Sequence, residues 1–266
     1  MGILDELAAH ARERVEADSS ALPLRELRAR ALDGAPADGA AFEAALAKPG
    51  MSFICEVKRA SPSKGLIAPD FPYVDIARAY EAAGADAISC LTEPKWFLGS
   101  DEIFREVRAA VSTPMIRKDF TVDAYQVYQA KAMGASAVLL ICAILTDMQL
   151  EEYLGVCGDL GLAALAEAHD AAEVARAVAA GARIVGVNNR NLKDFTVDNS
   201  TAARLRGQVP AGVTFVSESG IMGDDDVRAA ALSGADAVLV GEYLMRAEGK
   251  AARLGSMRAA AAEVGR

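Results

Sequence analysis

Apolar and polar positions divide the chain into two kinds of segment that follow one another. The first kind is a short, mostly apolar run, which is typical of a parallel strand buried on both faces. Such runs occupy 53–58, 114–120, 162–167 and 213–218. The second kind places apolar residues at helical spacing, as an amphipathic helix does. These stretches occupy 72–83, 100–111, 123–133 and 170–180. The pattern predicts strands and helices in alternation.

A glycine-led motif raises the number of predicted strands to eight. "GADAISCLTE", "GASAVLLICA", "GARIVGVNNR" and "GADAVLVGEY" begin at Gly84, Gly134, Gly181 and Gly234, at intervals of 50, 47 and 53 residues. Each motif joins a glycine suited to end a helix to an apolar strand. Eight strand–helix units predict an α/β fold, a (β/α)8 TIM barrel. An open doubly wound sheet is the alternative, but no G-x-G-x-x-G follows the first strand.

The first fifty residues precede these units. We expect one domain over 1–266, with the barrel at 51–266 and an N-terminal helical extension at 1–50 that caps the bottom of the barrel. Its opening segment, "MGILDELAAHARERVEA", is acidic and amphipathic. This predicts a covering helix, since a signal peptide has a basic start and an apolar core.

Composition narrows the classes of function. The net charge of −9 disfavours a nucleic-acid surface. The apolar run at 137–145 has half the length of a membrane span, so no membrane association is predicted. Four distant cysteines predict a reduced cytoplasmic protein without disulfides. The chain has only two histidines, which disfavours a histidine-based zinc site and a Ser-His-Asp triad. No metal site is predicted.

Charged and amide side chains cluster where the predicted strands end. In a barrel the active site is built from the C-terminal ends of the strands. Two-residue spacing also places side chains on one face of a strand. The strand ends carry Glu56 and Lys58, Lys118 and Phe120, Glu167, Asn188 to Arg190, and Glu218. One such group could be a surface ion pair, but five strands with the same feature predict a shared site.

Two glycine-containing turns indicate a place for phosphate. Barrels often bind phosphate between the loops that follow strands 7 and 8. Strand 7 is followed by Ser219-Gly220, and strand 8 by Gly241 and the short helical segment "EYLMR" that starts at Glu242. Glycine lets the backbone approach an anion closely, so the turns predict a phosphate site.

Six ordered motifs resemble the indole-3-glycerol phosphate synthase family of tryptophan biosynthesis. They are "EVKRASPSKG" (56–65), "LTEPKWFLGS" (91–100), "RKDFTVDAYQVYQAKAMGASAVLL" (117–140), "VGVNNRNL" (185–192), "SESGI" (217–221) and "VGEYLMR" (240–246). The resemblance covers nearly the whole chain. It implies a carboxy-lyase that closes an indole ring on 1-(2-carboxyphenylamino)-1-deoxyribulose 5-phosphate, releasing carbon dioxide and water. It also implies that no metal or organic cofactor takes part.

The resemblance assigns roles residue by residue. Lys118 is implied as the general acid, Glu167 as its acid–base partner in dehydration, and Glu56 as the residue that steadies the lysines. Lys58 is implied to bind the substrate's carboxylate or phosphate. Asn188 and Glu218 match positions that hydrogen-bond the substrate's hydroxyls and amine. Ser61 and Arg190 line the mouth, and the apolar walls come from Phe97, Phe120, Leu139 and Leu192. Ser219, Gly220, Gly241 and Glu242 resemble the phosphate cradle.

Several residues depart from the family pattern or stay outside the site. Leu98 stands where a smaller or polar residue is expected. Tyr243 stands where a small hydroxyl residue is common, and phosphate affinity would fall if it entered the cradle. His169 precedes a predicted N-cap, Asp170, and is interpreted as structural. Asp224 to Asp226 are interpreted as helix N-terminal charges. Trp96 either stacks on substrate or packs at the rim.

Two other functions fit a barrel with a lysine at a strand end. One is a Schiff-base aldolase with Lys118 as nucleophile. The other is a phosphate-binding barrel without catalysis. For the preferred function, the partner is a sugar phosphate that carries an anthranilate ring, and the chain is expected to be a monomer or a weak homodimer.

Overall fold

A closed barrel of eight parallel strands forms the centre of the protein. The computed structural model describes residues 2–192 and 194–265; Met1 and Arg266, the limits of the predicted domain, lie outside the described residues. The barrel strands are β1 Ser52–Val57, β2 Ala87–Leu91, β3 Met115–Lys118, β4 Ala137–Ile141, β5 Ala163–Ala168, β6 Ile184–Asn188, β7 Thr214–Glu218 and β8 Ala237–Val240. Neighbours in sequence are neighbours in the sheet, and β8 pairs with β1. The (β/α)8 prediction is confirmed.

Helices surround the barrel and precede it. Before β1 lie α1 Ile3–Ala21, α2 Leu24–Asp33 and α3 Gly39–Ala47. The connecting helices are α4 Tyr73–Ala82, α5 Asp101–Ala110, α6 Ala124–Ala132, α7 Asp147–Asp159, α8 Ala171–Ala179, α9 Ser200–Leu205 and α10 Asp224–Leu232. After β8 come α11 Glu242–Arg246 and α12 Lys250–Glu263. Short 3-10 turns occupy Cys142–Ile144 and Arg206–Gln208, and a small hairpin pairs Ala60–Ser61 with Gly65–Leu66.

Local sequence explains where the helices begin and end. Ser100, Asp123 and Asp170 each accept a backbone N–H of the first turn of α5, α6 and α8, which satisfies one otherwise unpaired donor. Asp170 is therefore an N-cap, as predicted. Gly84 has φ 81° where the chain leaves α4 and turns toward β2, a left-handed conformation that favours glycine.

Two apolar layers hold the fold together. The inner layer fills the barrel with side chains such as Ile54, Ile116, Leu165 and Val216, all fully buried. The outer layer lies between the strands and the helices. Close packing inside the barrel makes it a solid core, so a ligand must bind above that core, at the strand ends.

Two of the three N-terminal helices, α1 and α3, lie at opposite ends of the barrel. As predicted for 1–50, α3 caps the bottom: Phe42 and Leu46 join the inner layer, and Ala45 O accepts a hydrogen bond from Ser52 Oγ at the start of β1. The prediction is wrong for α1, which lies at the opposite end. Arg14 of α1 donates two hydrogen bonds to Asp119, just after β3, at 2.6 and 3.2 Å. Buried pairing with a strand-end carboxylate therefore holds α1 over the mouth.

Candidate active site

A cavity of about 630 Å³ opens at the C-terminal ends of the barrel strands. All of the residues predicted for the site line it. They are Glu56, Lys58, Ser61, Phe97, Lys118, Phe120, Leu139, Glu167, Asn188, Arg190, Leu192, Glu218, Ser219, Gly220, Gly241 and Glu242. The barrel thus brings together side chains that are spread over most of the sequence.

Strand register sets the relative heights of these side chains. Glu167 of β5 is paired with Gly186 of β6, and Asn188 of β6 with Glu218 of β7. Gly186 provides room, because a Cβ built there would overlap the carboxyl oxygen Oε1 of Glu218. A side chain on β6 at this level would therefore displace Glu218.

Lys118 lies between two buried glutamates. Its Nζ is 3.2 Å from Oε2 of Glu167 and 3.4 Å from Oε2 of Glu218, and both glutamates are only 2% exposed. Burial by itself lowers the pKa of the lysine, but the negative charges of Glu167, Glu218 and Glu56 outweigh it and raise the pKa above its usual value. Lys118 is therefore an ammonium group at neutral pH, able to donate a proton.

The two glutamates differ in protonation. Burial raises the pKa of Glu218 to about 8; Lys118 opposes this rise, and Glu167 adds to it. Burial also acts to raise the pKa of Glu167, but Lys118, His169 and Asn188 lower it on balance. Two carboxyls next to one ammonium group thus share a single negative charge, with Glu167 ionised and Glu218 protonated near pH 7.

A second charged pair lies at the end of β1. Lys58 Nζ donates to Oε2 of Glu56, and Ser89 Oγ lies 3.5 Å from the other carboxyl oxygen. A Cβ built at Gly241 would overlap this pair. Gly241 therefore has a steric function beside the Glu56–Lys58 pair, besides the predicted one in the phosphate cradle.

Apolar side chains form one wall of the cavity. The rings of Phe97 and Phe120 are 6.0 Å apart and tilted by 43°. Leu139 and Leu192 extend this wall. Such a surface suits a flat aromatic ring. Trp96 packs at the rim, edge-on to His10 at 5.4 Å and beneath Lys95 Nζ at 4.3 Å.

The turns after β7 and β8 form the far end of the cavity. Ser219 and Gly220 both have positive φ, 66° and 78°, and Asn199 Nδ2 donates to the carbonyl of Gly220 at 3.1 Å. The Glu242 carboxylate pairs with Arg246 at 3.1 Å. Tyr243 packs on the outer layer, 5.8 Å from the guanidinium of Arg253, so its ring is directed away from the turns.

The acidic residues at the start of α10 and Leu98, both singled out in the sequence, have local structural explanations. Asp224 to Asp226 lie in the first turn of α10, as interpreted. Asp226 nevertheless also lines the cavity, and it accepts hydrogen bonds from Asn199 and from the backbone of Met222. Leu98 has φ 54° and is 39% exposed, which explains why a smaller residue suits this position.

Sequence reasoning missed several residues of the cavity, among them Lys64, Asp119 and Asn199, and one contact next to it. Ile3, Leu4 and Leu7 of α1 line the cavity, although their apolar pattern predicted only a covering helix. His169 lies 3.5 Å from Glu167. Two-residue spacing after Glu167 was the available signal for that contact, since extended backbone carried one residue past the end of β5 places both side chains on the same side.

Solved structures share this fold. The thiamine phosphate pyrophosphorylase of Pyrococcus furiosus superposes with a TM-score of 0.63 at 19% identity, over 84% of this chain and 99% of that one. The N-acetylmannosamine-6-phosphate 2-epimerase of Clostridium perfringens gives a TM-score of 0.60 at 15% identity, over 74% and 89%. At these identities the likeness concerns the fold alone.

Sequence comparison is more specific. A family model described as indole-3-glycerol phosphate synthase matches residues 4–257. The chain is 51% identical over 259 residues to the indole-3-glycerol phosphate synthase of Ruminiclostridium cellulolyticum, covering 97% of this chain and 100% of that protein. It is 47% identical over 268 residues to the protein of the same name from Arthrobacter sp. (strain FB24), covering 99% and 98%. The chain belongs to the indole-3-glycerol phosphate synthase family.

Proposed function

We propose that the chain converts 1-(2-carboxyphenylamino)-1-deoxyribulose 5-phosphate into indole-3-glycerol phosphate, carbon dioxide and water. The observation that carries this proposal is the Lys118 ammonium group between two buried carboxyls at the floor of a cavity with an aromatic wall. Ring closure with decarboxylation and dehydration moves protons at each stage. The site offers one strong cation and a pair of carboxyls in different protonation states for this work.

The first stage forms the carbon–carbon bond. The ring carbon that carries the carboxylate attacks the ketose carbonyl, and Lys118 donates a proton to the carbonyl oxygen as it becomes a hydroxyl. Loss of carbon dioxide then leaves its electron pair with the ring and restores aromaticity. Phe97 and Phe120 would hold the ring, and Lys58 would bind an anionic group of the substrate.

The second stage removes water. The new hydroxyl leaves with a proton, and the neighbouring carbon, next to the amine, loses a proton so that the pyrrole double bond forms. Glu167 is suited to this transfer because it is ionised and lies 3.2 Å from Lys118. Asn188 and Glu218 would hydrogen-bond the hydroxyls and the amine, and Glu56 would keep Lys58 in place. Ser61 and Arg190 would contact the substrate at the mouth.

The charge state of Lys118 argues against the aldolase alternative. A Schiff-base lysine must be neutral to attack a carbonyl, and such lysines have a lowered pKa. The pKa of Lys118 is raised. Borohydride treatment with a keto-sugar phosphate should therefore leave Lys118 unmodified, whereas a covalent adduct on it would favour the aldolase.

Binding of the substrate phosphate is proposed at the turns after β7 and β8. Ser219, Gly220 and Gly241 would supply backbone N–H donors, with Glu242 at the start of α11 and Lys58 as a nearby cation. Positive φ at Ser219 and Gly220 supports this proposal, because such conformations are common where successive N–H groups turn toward an anion.

A single chain contributes residues to the cavity from Ile3 to Glu242. This supports action as a monomer or a weak homodimer. Cys55, Cys90, Cys142 and Cys157 are buried free thiols, which supports a reducing, cytoplasmic setting. Over the described part of the chain, none of the helices combines the length and the apolar character needed to span a membrane.

Indole fluorescence tests the proposed function directly. The purified chain is mixed with the carboxyphenylamino ketose phosphate, and formation of the indole product is followed over time. We expect a signal that grows with enzyme concentration. A rate no higher than that of a Lys118→Ala variant would refute the proposal, and ligand binding without turnover would support the non-catalytic barrel.

The protonation of Glu218 predicts the alkaline side of the pH profile. Above about pH 8 the neutral carboxyl loses its proton next to the ionised Glu167, so kcat/KM for the free enzyme should fall. Glu218→Gln keeps a neutral donor at every pH, and the fall near pH 8 should disappear, since the pKa of Lys118 is raised. An unchanged alkaline limb in this variant would show that another group titrates there.

A methyl group at Gly186 should disturb the site without changing its charges. Gly186→Ala would displace the Glu218 carboxyl from Lys118, and a shift of this kind can lower kcat by about 100-fold. Gly155→Ala is the matched control, because Gly155 lies in α7, where an added Cβ meets no atom within 4 Å. Steady-state kinetics on both variants makes the comparison; equal activity would argue against a role for the position of Glu218.

A further inference from the structure

His169 connects the end of β5 to the start of α8 through one carboxylate. Its Nδ1 lies 3.1 Å from Oε2 of Glu173, and its backbone N–H donates to the same oxygen at 2.8 Å. Glu173 is in the first turn of α8, next in space to the N-cap Asp170. Two contacts to one carboxylate fix the plane and the direction of the imidazole.

The other face of this imidazole meets Glu167. Nε2 of His169 is buried, makes no hydrogen bond to any described residue, and lies 3.5 Å from Oε1 of Glu167. The second oxygen of Glu167, Oε2, faces Lys118. The carboxylate thus has one oxygen toward Lys118 and one toward His169, and His169 is not among the described residues that line the cavity.

Resting on the proposed function, we propose that His169 is a positioning residue, which holds Glu167 in place and ionised opposite Lys118 through its link to Glu173. Deleting this link would remove the imidazole from Oε1 of Glu167, while Lys118 would still hold Oε2. The interpretation of His169 as purely structural is therefore incomplete.

The charges around His169 agree with this role. The carboxyl groups that face it come from β5 (Glu167), α8 (Glu173) and β7 (Glu218), and Lys118 of β3 is the cation beyond Glu167. Burial acts to lower the pKa of His169, but the bond to Glu173 and the negative charge of Glu167 raise it on balance. The positive imidazolium in turn helps Lys118 to lower the pKa of Glu167.

Proton NMR of the imidazoles tests the coupling without any turnover. The chain has two histidines, and a His10→Gln variant identifies the signals of His169. We expect His169 to titrate above about pH 6.5, and Glu167→Gln and Glu173→Gln each to lower its pKa by about one unit, because each removes a negative charge beside the ring. An unchanged pKa of His169 in Glu167→Gln would overturn the proposal.

Kinetics tests the effect on the reaction. His169→Asn keeps an amide near the Nδ1 position and loses the contact with Glu167, whereas His169→Gln can place a neutral N–H donor near the Nε2 position. We expect His169→Asn to lower kcat about 10-fold with KM changed less than about 3-fold, and to move the acid limb of kcat/KM upward by about one pH unit. His169→Gln should recover part of kcat.

A merely structural histidine would give a different result. Loss of thermal stability with an unmoved acid limb in both variants would refute the proposal, even if activity fell. The two proposals fail separately. A coupled His169 titration in a chain that forms no indole product would reject only the proposed function. A chain that turns over normally, with His169 uncoupled from Glu167, would reject only the role of His169.

Discussion

Replacing Lys118 with methionine is expected to lower kcat/KM for ring closure by about 1,000-fold. Methionine keeps the length and the apolar stem of the side chain and removes the ammonium group between Glu167 and Glu218. Loss of a positioned general acid costs 10²–10⁴-fold in typical enzymes. Lys118 also balances the charge of two buried carboxyls, so we place the effect in the middle of that range.

Lys58→Met is the matched control for this substitution. Lys58 is also a half-buried lysine beside a glutamate in the same cavity, but its proposed role is to bind an anion. We expect this variant to raise KM more than it lowers kcat, as loss of a binding contact does. Indole fluorescence gives both parameters, and circular dichroism checks the fold. A Lys118→Met variant with more than about a tenth of wild-type kcat would exclude Lys118 as the general acid.

Asp119→Ala is expected to destabilise the protein by about 3 kcal/mol, the second large effect. Asp119 is 2% exposed and accepts hydrogen bonds from Arg14, Thr92 and Arg117. Removing one member of a buried ion cluster leaves the other charges uncompensated, which typically costs 3–5 kcal/mol. Arg117 keeps Asp101 as a partner at 3.0 Å, so the low end of that range applies.

Thermal unfolding measures this loss. For a chain of this size, 3 kcal/mol corresponds to a fall in Tm of roughly 6–12 °C. Asp198→Ala is the control, because Asp198 pairs with Arg204 at 2.7 Å but lies on the surface, where removing an ion pair has little effect on Tm. A fall of equal size in both variants would contradict the importance of burial.

The pH dependence of the Asp119 effect has a definite sign. Burial acts to raise the pKa of Asp119, but Arg117, Arg14 and Thr92 lower it on balance. A carboxyl with a lowered pKa stabilises the fold above the pKa of the unfolded chain, about 3.9, and this contribution is lost as the pH falls through the folded value. The difference in Tm between wild type and Asp119→Ala should therefore shrink on acidification below about pH 4.

The barrel could be predicted because the apolar runs and the helical patterns in the sequence match the strands and helices of the fold. The run 53–58 became β1 Ser52–Val57, and the helical stretch 123–133 became α6 Ala124–Ala132. Buried parallel strands are apolar throughout, and cap residues end the helices between them, so both signals are local. Strand-end charges were predictable for the same reason, since a buried strand interrupted by Glu56 and Lys58 needs an explanation other than packing.

Contacts between distant segments could not be predicted in this way. The placement of α1 depends on Arg14 reaching Asp119 across 105 positions of sequence, and an amphipathic pattern shows that a helix is covered on one face without showing by what. Which of several possible partners a helix packs against depends on the tertiary structure, and this cannot be derived from a single sequence.

The pairing of the first and last barrel strands has a consequence for protein synthesis. β8 leaves the ribosome long after β1, yet Gly241, directly after β8, packs against Glu56 and Lys58. A nascent chain stopped before β8 would leave two strand edges open, and open edges invite association with other chains. Truncated translation products are thus candidates for chaperone capture. An assay of indole formation in a cell lysate would detect only chains whose synthesis has continued through β8.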